Sequence, residues 1–82
     1  MTRYELRLPD LGIDDQPIVL SLWLMKTGSR ISAGDRVAEV LAGPVTVDLP
    51  SPVDGILLEA LVDEDEPIVV GQPLALIAIE DE

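Results

Sequence analysis

The sequence predicts an all-β domain, a sandwich or barrel built from two similar halves. Three observations lead there: closely spaced prolines and glycines, alternation of apolar and polar residues, and an internal repeat at a shift of 37 residues. Seven prolines and six glycines leave no stretch free of both longer than Ile56–Glu66, eleven residues. Proline in a helix interior costs about 3 kcal/mol, so long helices are disfavoured and short strands between turns are favoured.

The elements follow in order. Tyr4-Glu5-Leu6-Arg7-Leu8 alternates apolar and charged residues, which puts Tyr4, Leu6 and Leu8 on one face of a strand. Ile18–Thr27 is rich in Ile, Val and Leu, and its Trp23 reads as a core or half-buried anchor. Arg36–Val40 is less regular but reads as a strand. Val45-Thr46-Val47-Asp48-Leu49 alternates cleanly, with Val45, Val47 and Leu49 facing one way. Pro50-Ser51-Pro52 lacks two ladder donors, so it marks the exit from that strand. Asp54-Gly55 is a tight-turn signal, and Ile56 opens the next apolar stretch. Leu74–Ile79 is a nearly continuous apolar run, as expected of a covered strand or one at a chain end.

The repeat ties these elements together. A shift of 37 residues carries Gly34 onto Gly71, Leu20 onto Leu57, Leu24 onto Leu61 and Ile31 onto Ile68. It also carries Val37 onto Leu74, Ala38 onto Ala75 and Val40 onto Ile77. Two copies of one strand-turn-strand unit, facing each other, would bury this shared apolar set with quasi-twofold symmetry. Gly34-Asp35 and Gly71-Gln72 would close equivalent loops, where glycine supplies a positive φ.

Composition narrows the chemistry. The 82 residues carry 16 acidic against 5 basic side chains, a formal charge of −11, with no His, Cys or Phe. That excludes a thiol nucleophile, a Cys/His zinc site, a disulfide and a Ser-His-Asp triad. The charge is wrong for a nucleic-acid backbone. No apolar run reaches the ~18 residues of a membrane helix, and no basic-then-apolar leader is seen. One domain spanning residues 1–82, in a cytoplasmic setting, is the expectation. A domain this small buries only about 60% of its unfolded surface, which leaves one thin core and no deep enclosed site.

Three segments resemble one family. Leu8-Pro9-Asp10-Leu11-Gly12 stands near the start, and Trp23-Leu24-Met25-Lys26-Thr27-Gly28 through Ala33-Gly34-Asp35 follows. Leu49-Pro50-Ser51-Pro52-Val53-Asp54-Gly55-Ile56-Leu57 and Val70-Gly71-Gln72-Pro73-Leu74 complete the set. In this order they resemble the lipoyl domain of 2-oxo acid dehydrogenase acyltransferases, within the biotinyl/lipoyl attachment family. The resemblance covers nearly the whole chain. It implies a flattened β-barrel of two four-stranded antiparallel sheets with quasi-twofold symmetry, and a carrier rather than an enzyme.

The resemblance also implies a lysine at the tip of a β-hairpin, in an Asp-Lys-Ala turn, amide-linked to lipoate or biotin. Aligned on the Pro-Ser-Pro exit, that turn falls on Gly43, Pro44 and Val45. The expected attachment residue is therefore Pro44, which has no side-chain amine. No lysine occurs between Thr27 and Glu82, so a small error in alignment changes nothing. The one lysine is Lys26, whose Met25-Lys26 pair superficially resembles the Met-Lys of biotinyl domains; its flanks, Leu24 and Thr27, do not match. Lys26 is read as a solvated residue at the end of a strand. No bound cofactor is expected.

Other candidates are weaker. Asp63-Glu64-Asp65-Glu66 is the densest acidic run and could suggest calcium or magnesium, yet it lacks the spaced ligands and glycine of an EF-hand. It is read as a solvated loop, as are Asp14-Asp15 and Glu80-Asp81-Glu82; no metal site is expected. Paired carboxylates for sugar cleavage would need a cleft that one Trp, one Tyr and a thin core do not offer. The expectation is a non-catalytic interaction or structural module that has lost its attachment lysine, with a protein partner in an acyl-transfer or carboxylase complex. The alternative is a working carrier modified at Lys26. A small stand-alone protein is expected, since no linker rich in Ala and Pro follows Ile79.

Overall fold

In the computed structural model, residues 2–13 and 16–79 are described. Eight strands form among them: β1 Thr2–Arg7, β2 Ile18–Trp23, β3 Arg30–Ile31, β4 Arg36–Ala42, β5 Val45–Pro50, β6 Gly55–Ala60, β7 Pro67–Ile68 and β8 Pro73–Ile79. They pair antiparallel into two four-stranded sheets, ordered β1-β8-β6-β3 and β5-β4-β2-β7. No helix is present among the described residues.

Each strand of one sheet has a counterpart in the other. β2, β3 and β4 correspond to β6, β7 and β8 by the 37-residue shift, and β5 corresponds to β1. The correspondence reaches single hydrogen bonds. Gly34 N donates to Ser51 O and Gly71 N to Leu8 O, both at 2.8 Å; Leu24 N donates to Val37 O and Leu61 N to Leu74 O, also both at 2.8 Å. The register slips between Leu20 and Leu22 in one half and between Leu57 and Glu59 in the other. Such bulges bend and twist a strand, and here each half bends its inner pair at the same place.

The core divides with the symmetry. One cluster joins Leu8, Leu20, Ala38, Val40, Ala42, Leu49, Val62 and Leu74 with their neighbours. The other joins Leu6, Ile31, Val37, Leu57, Ala75 and Ile77. Trp23 packs against both, and its indole Nε1 donates to Val62 O at 3.0 Å. The half-buried anchor expected from sequence therefore joins the two clusters. The apolar run at Leu74–Ile79 lies in β8, paired on both edges. Tyr4, Leu6 and Leu8 do share an inward face. Val45, Val47 and Leu49 sit opposite the core residues Ala42, Val40 and Ala38, as the alternation predicts, though Val45 beside the hairpin tip stays 47% exposed.

Gly55 serves a different purpose from the one its Asp-Gly context suggests. It opens β6 rather than a turn of positive φ. A Cβ there would run into the Ala78 carbonyl, so the residue is fixed by the close approach of β8. The chain turns before it, at Ser51–Asp54, where the buried Ser51 hydroxyl bonds the backbone of Val53.

Candidate functional site

The segment singled out by sequence is the connection between β4 and β5. Ala42 pairs with Val45, leaving Gly43 and Pro44 as a two-residue hairpin tip. Gly43 has φ 59°, and proline fixes its own φ near −65°. Positive then negative is the sign pattern of a type II′ turn, whose twist suits a tight hairpin. Pro44 and Val45 are exposed. The tip is braced from one side: Gly43 N donates to Pro17 O at 3.2 Å, and the Gln16 side chain occupies the space a Cβ on Gly43 would take. Gln16 and Pro17 end the Leu8–Pro17 connection, ten residues long, whose counterpart Ser51–Asp54 has only four. Asp14 and Asp15 lie outside the described residues, as do Glu80, Asp81 and Glu82.

Lys26 is elsewhere. Ala42 pairs with Ile18 at the hairpin end of the sheet, while Trp23 pairs with Ala38. Four residues of strand separate these pairs, roughly 13 Å. Lys26 lies beyond Trp23, exposed, in the turn Lys26–Ser29 closed by Ser29 N to Lys26 O at 3.0 Å. Gly28 N of that turn donates to Leu57 O in the opposite sheet. Lys26 is therefore a turn residue beyond the end of β2 that lies away from the hairpin.

Asp63–Glu66 forms the equivalent turn of the other half. Glu66 N donates to Asp63 O, and Asp65 N donates to Leu20 O at 2.7 Å. Asp65 has φ 69° where Gly28 has 90°. The acidic run is thus a structured turn carrying four like charges, with Glu64 Oε2 accepting from Trp23 N at 2.9 Å. Among the described residues no three acidic side chains converge as metal ligands.

Sequence reasoning missed a hollow of about 230 Å³ between the free edges of β1 and β5. Tyr4, Leu6, Arg7 and Pro9 line it on one side, and Leu49, Pro50 and Pro52 on the other. Three of these residues are symmetry mates of three others: Leu6 with Leu49, Arg7 with Pro50, and Pro9 with Pro52. The hollow therefore straddles the quasi-twofold axis. The proline-rich exits of the two edge strands were its only signal in the sequence.

The Biotin_lipoyl family, described as "Biotin-requiring enzyme", matches residues 4–77. The chain belongs to this family. Its members resemble it in sequence as well: the dihydrolipoyllysine-residue acetyltransferase component of the pyruvate dehydrogenase complex of Staphylococcus epidermidis is 38% identical over 95% of the chain. The same component from Corynebacterium glutamicum is 30% identical over 96%. The chain spans only 18% and 12% of those two relatives' lengths. In structure, the lipoyl domain of the 2-oxoglutarate dehydrogenase complex from Azotobacter vinelandii superposes with a TM-score of 0.74 at 15% identity, covering 90% of this chain and 94% of that one. A single-chain long-chain acyl-CoA carboxylase gives 0.75 at 18% identity, covering 98% of this chain and 7% of that one. The flattened two-sheet fold is that of a biotinyl/lipoyl carrier domain related to those of acyltransferase complexes. Such domains are carriers and are not themselves catalysts. No helix among the described residues is long and apolar enough to cross a membrane.

Proposed function

We propose that this domain keeps the scaffold of a carrier and has lost the carrying residue, so that it acts as a protein-interaction or structural module. The observation that carries this reading is Pro44 at the exposed tip of the β4–β5 hairpin, the position that the resemblance, aligned on Pro50-Ser51-Pro52, implies for the attachment lysine. An amide needs an amine, and proline offers none. Lys26 supports the reading by its placement: it stands in a different turn, beyond the other end of β2, outside the hairpin setting the resemblance implies.

The partner on this reading is a protein component of an acyl-transfer or carboxylase complex in the cytoplasm, with no resident cofactor and no metal. A charge of −11 favours a partner with a basic surface and makes association sensitive to salt. The test is mass spectrometry of protein expressed with a lipoate ligase and, separately, with a biotin ligase. The expected result is an unmodified mass in both cases. A gain of one lipoyl or biotinyl group, lost on Lys26→Ala, would replace this reading with that of a working carrier. Pro44→Lys, alone and with Gly43→Asp and Gln16→Ala, tests the register. The third change removes the Gln16 side chain, which lies where a Cβ on residue 43 would go. Acceptance of lipoate at residue 44 would fix the hairpin alignment.

A further inference from the structure

The two sheets share a backbone plan but present different outer faces. Across the outer face of the β1-β8-β6-β3 sheet, the register aligns Arg3, Ala78, Ile56 and Arg30 in one row. The symmetry-related row of the other sheet is Thr46, Leu41, Val19 and Pro67. One row is bracketed by two arginines; the other has no charge. Leu41 is 39% exposed and Val19 half-buried. The strip continues past Pro67 to Val69, 66% exposed, and Val70, 52% exposed. The matching turn in the other half carries Ser32 and Ala33 in their place.

The surroundings of this strip are acidic. The next outer row is Asp48, Glu39 and Leu22, and the Asp63–Glu66 turn leads directly into Pro67. No Lys or Arg occurs in residues 10–23, 39–50 or 61–72, which build this end of the molecule. The nearest cations are already engaged. Arg36 pairs with Asp48 at 3.2 Å, and Arg7 bonds Glu5 and the Gly71 carbonyl. An exposed apolar strip inside a field of one sign selects its occupant by charge. A second copy of the chain brings −11 against −11 and is repelled.

We infer that the strip Thr46–Leu41–Val19–Pro67–Val69 is a docking surface for a protein segment that presents aliphatic side chains among lysines or arginines. This deepens the interaction-module reading and rests on it, while its test is independent of whether any lysine is modified. The probe is a synthetic ten-residue peptide alternating leucine and lysine. It is titrated into the isotope-labelled chain and followed by amide resonances. Two control peptides replace every leucine by serine or every lysine by glutamate.

The expected result is saturable binding of the leucine–lysine peptide, with the largest shifts at Val19, Leu41, Thr46 and Val69. Val69→Ser with Val70→Ala installs the residues the other half already carries on the same turn. It should weaken binding about tenfold, the loss expected from unburying roughly one valine. Thr46→Arg with Pro67→Arg installs the other half's flanking cations and should abolish binding. The unbound spectrum of each variant shows whether the fold is kept. Equal binding of the serine–lysine peptide would overturn the proposal, since charge alone would then suffice. So would unchanged affinity in a folded Val69→Ser/Val70→Ala variant. Concentration-dependent shifts at the strip without peptide would overturn it too, by assigning the surface to self-association.

Discussion

The turns Lys26–Ser29 and Asp63–Glu66 have the same backbone and share no residue type. Each closes with an i to i+3 hydrogen bond, each places a positive φ at its third residue, and each donates from that residue to a strand of the opposite sheet. One reads Lys-Thr-Gly-Ser and carries a single positive charge; the other reads Asp-Glu-Asp-Glu and carries four negative ones. The comparison separates two kinds of information in the chain. The hydrogen-bond plan and most inward side chains are held in common by the halves. Outward side chains are free to differ, and they have diverged in sign.

Four measurements can break or sharpen this comparison. The largest effects belong to the shared interior. Leu20 and Leu57 are symmetry mates, at 0% and 1% exposure in separate clusters. Leu20→Ala and Leu57→Ala should each lower the urea-unfolding free energy by about 3 kcal/mol, with similar values if the halves are energetically alike. A gap above about 2 kcal/mol would mean that the symmetry is one of shape alone. Next is Gly55→Ala, which pushes a methyl group into the Ala78 carbonyl and should cost about 2 kcal/mol. Its counterpart by the 37-residue shift is Ile18, a full side chain, so this is a position where the interiors truly differ.

Smaller effects belong to the turns. Asp65→Gly gives the acidic turn the residue of its counterpart and removes a non-glycine from positive φ, so stability should rise by up to about 1 kcal/mol. Gly28→Ala should fall by a similar amount for the opposite reason. The smallest effect is that of salt. Raising ionic strength from about 0.01 to 0.15 M shortens the screening length from about 30 to 8 Å and should raise the melting temperature slightly. Neutralising the acidic turn with Asp63→Asn and Glu66→Gln should shrink that gain.

Much of the plan could be read from the chain because burial repeats. Leu20 with Leu57, Ile31 with Ile68 and Val40 with Ile77 are apolar in both copies since both face a core. The matching of Gly28 with Asp65 was visible in the alignment, but not that aspartate adopts glycine's φ there. That follows from the hydrogen bond to Leu20, a contact between residues far apart in sequence. Gly55 looked like a turn residue because an Asp-Gly pair cannot say whether glycine is kept for its φ or for its missing Cβ. The hairpin tip was legible through the resemblance, which, aligned on the Pro50-Ser51-Pro52 exit, implies a turn at Gly43-Pro44. The brace from Gln16 and Pro17 was not, because it rests on contacts with Gly43, a residue far away in sequence. The uncharged outer row was also hidden: its four residues come from four strands, and only the register lines them up.

The pairing of Thr2 with Ile79 has one more consequence. By the symmetry, these residues correspond to Val45 and Ala42, which a mere two residues connect. A Gly-Pro link from Ile79 to Thr2 would therefore close the backbone into a ring with a hairpin at each end. Cutting that ring between Gly43 and Pro44 would yield a circular permutant whose strands run in a new sequential order over an unchanged set of pairings. For this fold, where the polypeptide starts is a matter of connectivity, and the two hairpin ends are interchangeable seams.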